Sequence, residues 1–256
     1  MKVYHFLKQV FPAVFLLAVS IAGLTIAIMG EIIDGHGLLI REETILAASA
    51  QPETEQKIPY TIVIDAGHGG EDGGTQSKQG LFEKDVNLAI AEMLNDMLRA
   101  AGVATVMTRT EDILLYDKNA DYQGRKKVLD LAARRRIAES TENALFISIH
   151  MNAFPQTQYH GLQVFYSPHQ TKSKELADLI QQTTKEILQP DNDRKTKKAT
   201  SSIYLLDRLT CPAVLVECGF LSNLTEAEKL SNDEYRQQVA MVLFSAIMRQ
   251  IYDKSS

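Results

Sequence analysis

Two periods of apolar residues alternate along the chain and predict its secondary structure. Short aliphatic and β-branched runs predict strands, and apolar residues three or four positions apart predict helices between them. The predicted strands and apolar segments cover residues 60–64, 103–107, 144–149, 161–166, 203–206 and 213–216. The predicted helices begin near Glu83 and cover residues 125–139, 173–188 and 233–252. This alternation predicts a single α/β domain of three layers, with a mostly parallel, twisted sheet flanked by helices.

An uncharged, largely apolar stretch at residues 10–29 precedes this domain and follows Lys2 and Lys8. At ~1.5 Å per residue, a helix of this length crosses a ~30 Å hydrocarbon core. The stretch therefore predicts an N-terminal transmembrane helix. We expect a membrane anchor or signal segment in residues 1–30, a linker in residues 31–57 and the folded domain in residues 58–253.

The positive-inside rule places Lys2 and Lys8 in the cytoplasm and the folded domain outside the cell membrane. Residues 48–50, Ala-Ser-Ala, resemble a signal cleavage site but lie well downstream of the apolar stretch. We therefore favour an uncleaved, single-pass anchor over a protein that is secreted after signal cleavage.

The composition argues against a general nucleic-acid binder and says little about the redox state of the compartment in which the protein works. The chain has 256 residues and a formal net charge of -5, whereas general nucleic-acid binders carry a basic excess. Its two cysteines, Cys211 and Cys218, flank an apolar run that predicts a buried strand. Extended residues advance ~3.3 Å each, which separates the Cα atoms beyond the ~7 Å limit of a disulfide, so we expect two free thiols.

Three side chains that suit a metal ion fall at matching places in the predicted fold. His68 lies just past the first strand in a glycine-rich loop, and His150 directly follows the third strand. Glu83 stands in the first turn of the next helix. Because parallel strands end at one edge of a sheet, both histidines can converge there. Taken singly, His68 is better explained as a loop histidine that binds nothing, and Glu83 is explained as a carboxylate that complements a helix dipole.

A fourth group, Glu217, ends the apolar run 213–216, and a buried carboxylate is costly unless it is paired or coordinated. Two histidines and a glutamate match the three-ligand pattern of a catalytic zinc, with Glu217 as a base for water. Such ligands also suit Mn, Fe or Co. The residues alone predict a metal-dependent hydrolase of unknown substrate.

Four motifs, in order, resemble those of the zinc-dependent N-acetylmuramoyl-L-alanine amidases of the Amidase_3 family. They read IDAGHGGEDGG, LFEKD, FISIHMNA and VLVECGFLSN, and the likeness extends from Ile58 to about Tyr252. The resemblance implies Zn²⁺ on His68, Glu83 and His150, and Glu217 as the catalytic glutamate. It also implies that Arg134 orients the substrate or Glu217. One departure is Asp65-Ala66 where many members have Asp-Pro.

The implied reaction is hydrolysis of the amide between N-acetylmuramic acid and the L-alanine of the peptidoglycan stem peptide. The likeness is greatest to the germination-specific sporulation members, which implies spore cortex peptidoglycan as substrate and a step towards muramic δ-lactam. The alternatives are a zinc peptidase on the stem peptide and a non-catalytic, membrane-tethered wall-binding module. The need for an activating protein partner stays open. The basic segment 190–202 predicts a solvated loop or a rim for an acidic substrate.

Overall fold

The computed structural model describes residues 60–116 and 124–252, and these form an α/β fold. The predicted anchor in residues 1–30 and the linker in residues 31–57 lie outside the described residues. No helix of the described ranges is long and apolar enough to cross a membrane. The strands are β1 (Thr61–Ala66), β2 (Thr105–Met107), β3 (Ala144–Asn152), β4 (Gln163–Tyr166), β5 (Lys197–Lys198) and β6 (Ala213–Phe220). The helices are α1 (Glu83–Ala100), α2 (Lys126–Ser140), α3 (Thr171–Ile187), α4 (Tyr204–Arg208), α5 (Leu224–Ser231) and α6 (Asp233–Tyr252).

The six strands form one mixed sheet in the order β2-β1-β3-β6-β4-β5. All neighbouring pairs are parallel except β4 and β6, which run antiparallel. The chain passes from β1 to β2 on one side and then returns to β3 on the other side of β1. The gap between β1 and β3 is thus the switch point at which open α/β sheets bind ligands.

Alternation along the strands divides the core between the two faces of the sheet. Ile62 and Ile64 of β1 belong to the larger apolar cluster, which packs against α1, α3 and α6. Val63 belongs to a smaller cluster on the other face, where α2 and α4 lie. The predicted three layers are therefore confirmed for the described residues.

The first helix ends where the sequence predicts because Gly102 follows it with a φ of 77°. The Gly102 N–H donates to the carbonyl of Arg99, and the Val103 N–H donates to that of Leu98. This is the Schellman arrangement, in which a left-handed glycine satisfies the last helical carbonyls. It turns the chain directly into β2.

Several elements differ from the sequence-based expectation. The apolar segment 203–206 contributes to the short helix α4, and α5 has no counterpart among the predicted elements. Strand β6 continues to Phe220, so Glu217 lies inside the strand and not at its end. Strand β3 likewise continues through His150 to Asn152.

Candidate metal centre and active site

The loop after β1 positions His68 through an unusual backbone conformation. His68 has a φ of 62°, a left-handed value that only a small fraction of residues other than glycine adopt. Gly67 must be a glycine because a Cβ there would lie 2.3 Å from Nε2 of His150. Gly74 has a φ of +66°, and its Cβ would lie 2.5 Å from Oε2 of Glu83. The glycines of this loop therefore bring the backbone against the side chains of the site.

His68, Glu83 and His150 converge as the sequence predicts, and we call them the metal cluster. Each offers a ligand atom, and these atoms all lie within 4.8 Å of one another. Oε1 of Glu83 is 3.2 Å from Nε2 of His68 and 2.9 Å from Nδ1 of His150. Two imidazoles and a carboxylate form a donor set that suits a divalent transition metal. The metal cluster can therefore hold such an ion.

Backbone amides fix the Glu83 carboxylate in this position. The Met151 N–H donates to Oε1 over 3.0 Å, and the Thr75 N–H donates to Oε2 over 2.9 Å. Burial alone would raise the pKa of Glu83, but hydrogen bonds from His150 and His68 hold it well below its usual range. Glu83 is therefore an anion that is oriented before any cation arrives.

Asp72 orients His68 from the side opposite Glu83, and sequence reasoning did not single it out. Its Oδ1 lies 3.0 Å from Nδ1 of His68. Burial lowers the pKa of His68, but the hydrogen bonds to Asp72 and Glu83 outweigh it and raise this pKa to about 9. A carboxylate on the far nitrogen is the usual partner of a metal-binding imidazole. The signal available in the sequence was an aspartate four residues after His68, in the same loop.

Glu217 lies beside the metal cluster, on the strand next to His150. The two residues are paired in the register of β3 and β6. Oε2 of Glu217 is buried without a hydrogen-bond partner in the described part of the chain. Burial raises the pKa of Glu217 to about 7, and the nearby charge of Glu83 also raises it. The carboxyl can therefore both take up and release a proton near neutral pH.

Arg134 lies beneath the His68 loop with 1% of its surface exposed. Its Nη1 donates to Asp65 over 2.7 Å, and its Nε donates to Asp130 over 2.7 Å. It also donates to the carbonyls of Ala66, over 2.7 Å, and His68, over 2.6 Å. We call Asp65, Asp130 and Arg134 the floor. Arg134 contacts the other two residues of the floor and the loop backbone, so its contacts position His68.

A second buried arginine, Arg109, completes the support of this loop. It follows β2 at the same edge of the sheet, and its side chain donates to the carbonyls of Ala66, Gly67 and Lys84. Asn87 donates to the carbonyl of Gly67 as well. The position of Arg109 just after an apolar run that predicts a strand was the signal available in the sequence.

The remaining histidines and the cysteines lie apart from the site. His160 and His169 are exposed. Both cysteines are free thiols, and Cys218 is buried in the larger apolar cluster, on the face opposite Glu217. His5 and His36 lie outside the described residues.

Comparison with known proteins identifies the family. The chain matches Amidase_3, N-acetylmuramoyl-L-alanine amidase, over residues 62–249. It is 36% identical over 193 residues to the germination-specific N-acetylmuramoyl-L-alanine amidase of Bacillus subtilis, which covers 75% of this chain and 80% of that protein.

Solved structures agree with this assignment. The CwlD amidase of Clostridioides difficile, solved in complex with the GerS lipoprotein, has a TM-score of 0.71 and 36% identity. That comparison covers 76% of this chain and 99% of the solved one. An N-acetylmuramoyl-L-alanine amidase from Clostridium difficile 630 has a TM-score of 0.64 and 32% identity, over 77% of this chain and 98% of its own. The chain therefore belongs to the Amidase_3 family and is an N-acetylmuramoyl-L-alanine amidase.

Proposed function

We propose that the chain is a zinc-dependent amidase that cleaves the bond between N-acetylmuramic acid and L-alanine in spore cortex peptidoglycan. One observation carries the catalytic part of the proposal. The metal cluster of His68, Glu83 and His150 lies beside Glu217, the register partner of His150. Oε2 of Glu217 is buried and has no hydrogen-bond partner among the described residues. A metal site without a base would bind a ligand, whereas this site has both.

The residues of the metal cluster fit zinc because two imidazoles and one carboxylate leave a coordination position open. Bound zinc polarises a carbonyl oxygen and lowers the pKa of water to roughly 7. His68 would have to lose the proton that Asp72 and Glu83 now favour, so zinc binding releases a proton. The affinity for zinc should therefore fall as the pH falls.

Glu217 carries the proton transfers of the proposed mechanism. As the carboxylate, it accepts a proton from the attacking water, and as the acid it returns this proton to the leaving nitrogen of L-alanine. A group that does both works best with a pKa near the working pH, and burial raises the pKa of Glu217 towards that range, to about 7 in the metal-free protein. Its unpartnered Oε2 is the oxygen we assign to this task.

Arg134 is assigned a positioning role and not direct contact with the substrate. Its hydrogen bonds to the carbonyls of Ala66 and His68 hold the loop from below, and Asp65 and Asp130 hold the arginine. We propose that this support keeps His68 in its left-handed conformation while a metal binds or leaves.

The cortex substrate is proposed from the likeness to the germination-specific amidase of Bacillus subtilis. Removal of stem peptides would then be a step towards muramic δ-lactam. A protein partner is proposed on similar grounds, because the related amidase of Clostridioides difficile was solved with a lipoprotein. We further propose that the apolar residues 10–29 anchor the chain in the cell membrane with its catalytic domain outside.

The test is digestion of cortex and vegetative peptidoglycan by the full-length protein, in zinc and in chelator, with the products identified by mass spectrometry. We expect zinc-dependent release of intact stem peptides with a free L-alanine amino group, and more of them from cortex. Cleavage within the peptide would instead identify a peptidase. Bound zinc without any cleavage would favour a wall-binding module, unless an added partner protein restores hydrolysis.

A further inference from the structure

An exposed aromatic surface lies at the sheet edge that carries the active site. Phe154 follows β3, Phe220 ends β6, and Tyr159 lies between β3 and β4. The ring centroids of Phe154 and Tyr159 are 5.3 Å apart, and those of Phe154 and Phe220 are 6.2 Å apart. Phe154 and Tyr159 are 48% and 43% exposed, whereas Phe220 is buried beneath them. We call these three residues the aromatic patch.

The guanidinium of Arg194 is held against this patch by neutral groups. It lies 4.4 Å from the ring centroid of Phe220. Its Nε donates to the carbonyl of His160 over 2.6 Å, and its Nη1 donates to Oε1 of Gln163 over 3.2 Å. Within residues 60–116 and 124–252, the Nη2 atom has no partner and Arg194 forms no salt bridge. The charge is therefore fixed in direction but not neutralised.

One carboxylate, that of Glu226, acts on Arg194 from a distance, and its oxygens already accept hydrogen bonds from backbone N–H groups. Glu226 contributes electrostatically to Arg194. However, its oxygens accept hydrogen bonds from the N–H groups of Gly161 and Phe220, each over 2.9 Å. Glu226 therefore makes no hydrogen bond to Arg194, and the Nη2 donors remain open to a carboxylate from outside.

The position of Gln163 relates Arg194 to the reacting bond. Gln163 and Glu217 are partners in the antiparallel register of β4 and β6, so their Cα atoms lie about 4.5–5.5 Å apart on one face. Arg194 contacts the side chain of Gln163. A peptide advances at most ~3.3–3.6 Å per residue. The guanidinium therefore lies within reach of a group one or two residues from the bond that Glu217 serves.

We propose that Arg194 binds a carboxylate of the stem peptide, on the residue that follows L-alanine, and so makes the enzyme selective for acidic stem peptides. The proposal rests on the amidase function and names the peptide side of its substrate site. A planar guanidinium pairs with a carboxylate through parallel hydrogen bonds, and its stacking on Phe220 fixes the plane in advance. Arg194 lies in the basic segment 190–202. The proposal therefore makes this segment a rim for an acidic substrate.

The test uses two synthetic muramoyl-peptides that differ only in the residue after L-alanine, which carries either the carboxylate or its neutral carboxamide. Hydrolysis is measured with zinc-loaded full-length protein as kcat/KM for each. A charge-assisted hydrogen bond of ~1.5–3 kcal/mol predicts that the wild type prefers the acid by about 10- to 100-fold. In Arg194→Gln this preference should fall to about onefold, mainly through KM for the acid, while Arg194→Lys should keep part of it.

Lys198→Gln is the matched control because it removes one positive charge from an exposed residue of the same segment. It should retain the full preference. If Arg194→Gln only disturbed the structure, kcat/KM would fall equally for both substrates and the preference for the acid would remain. That outcome overturns the proposal. Equal hydrolysis of both substrates by the wild type also overturns it. If the wild type hydrolysed neither substrate nor peptidoglycan, the amidase function itself would fail, which is a separate result.

Discussion

The floor and the metal cluster meet at the His68 loop, and both consist of charged side chains taken out of water. In the floor, Arg134 lies between two carboxylates, and its remaining donors reach backbone carbonyls. In the metal cluster, two imidazoles share the carboxylate of Glu83, and the neighbouring Glu217 has an oxygen without a partner in residues 60–116 and 124–252. Every charged group of the floor is hydrogen-bonded within the protein, whereas the metal cluster is completed only by a ligand.

The contacts of the floor explain how the loop keeps a strained histidine in place. A left-handed residue other than glycine costs about 1–2 kcal/mol, so neighbouring contacts must impose the conformation of His68. Arg134 and Arg109 supply these contacts from below by binding three successive carbonyls, those of residues 66, 67 and 68. The satisfied charges therefore provide rigidity, and the unsatisfied ones provide chemistry.

Glu217→Gln should produce the largest effect and separate chemistry from structure. The amide keeps the size of the side chain but cannot take a proton from water. We expect kcat to fall by about 10³-fold, since a general base contributes roughly 10²–10⁴. Zinc content, measured by elemental analysis, should be unchanged because Glu217 is not a ligand. His150→Ala is the comparison, since it should lose metal and activity together. Normal hydrolysis by Glu217→Gln would refute the role assigned to Glu217.

Arg134→Met should have the next largest effect, and on stability. It leaves Asp65 and Asp130 buried without their cation, and breaking a buried ion pair costs about 3–5 kcal/mol. The measurement is the free energy of unfolding in urea, without metal. Arg135→Met is the control because it lies on the same helix, and its pair with Glu139 is exposed to solvent. We expect little change there. Equal losses in both variants would mean that the floor has no special role.

The metal cluster could be predicted from the sequence because each ligand lies at the end of an easily predicted element. His68 follows a β-branched run, His150 follows another, and Glu83 precedes a helical period. The strand ends of a parallel sheet share an edge, so convergence followed without knowledge of the structure. Glu217 was found in the same way, although β6 runs three residues past it.

The floor could not be predicted because its members are related only through the three-dimensional fold. Arg134 stands in a run of three arginines, and the weak apolar period of this helix does not show which one is buried. Its partner Asp65 is 69 residues away and faces α2 only because β1 alternates. The family resemblance singled out Arg134 but gave it a role toward substrate or Glu217. Its contacts in the structure support positioning of His68.

Gly74→Ala should have a smaller effect that reaches the metal cluster through packing. Its φ of +66° costs an alanine about 1 kcal/mol, and the new Cβ would meet Oε2 of Glu83 at 2.5 Å. Gly102→Ala carries the same strain, at φ +77°, with no atom within 4 Å of the new Cβ. Both variants should lose stability, but only Gly74→Ala should bind zinc more weakly, by about tenfold in a competition titration. Equal zinc affinities would show that Glu83 adjusts freely.

The smallest effect should appear as a pH dependence of stability in the metal-free protein. The contribution of Glu217 to this dependence has the opposite sign to the contribution of Asp65 in the floor. Burial raises the pKa of Glu217 from its ordinary value of 4.5 to about 7. Between these values only the unfolded chain ionises at this position, so the carboxyl lowers the free energy of unfolding as the pH rises from 4.5 to 7. Glu217→Gln lacks this group. Relative to the wild type, the variant should gain about 1–2 kcal/mol over that interval, after allowance for partial exposure.

Urea unfolding in chelator at several pH values measures this difference, and the titrating groups remote from Glu217 cancel because both proteins contain them. Asp65→Asn is the counterpart from the floor. Although burial raises the pKa of Asp65, Arg134 and Ser148 hold it below the usual range. Its stabilisation is therefore present above the unfolded pKa and is lost as the pH falls through the folded one. As the pH rises towards neutrality, Asp65→Asn should thus lose stability relative to the wild type, whereas Glu217→Gln gains it. If both variants shifted in the same direction with pH, the partnered carboxylate of the floor and the unpartnered carboxyl of Glu217 would not differ in their effect on stability.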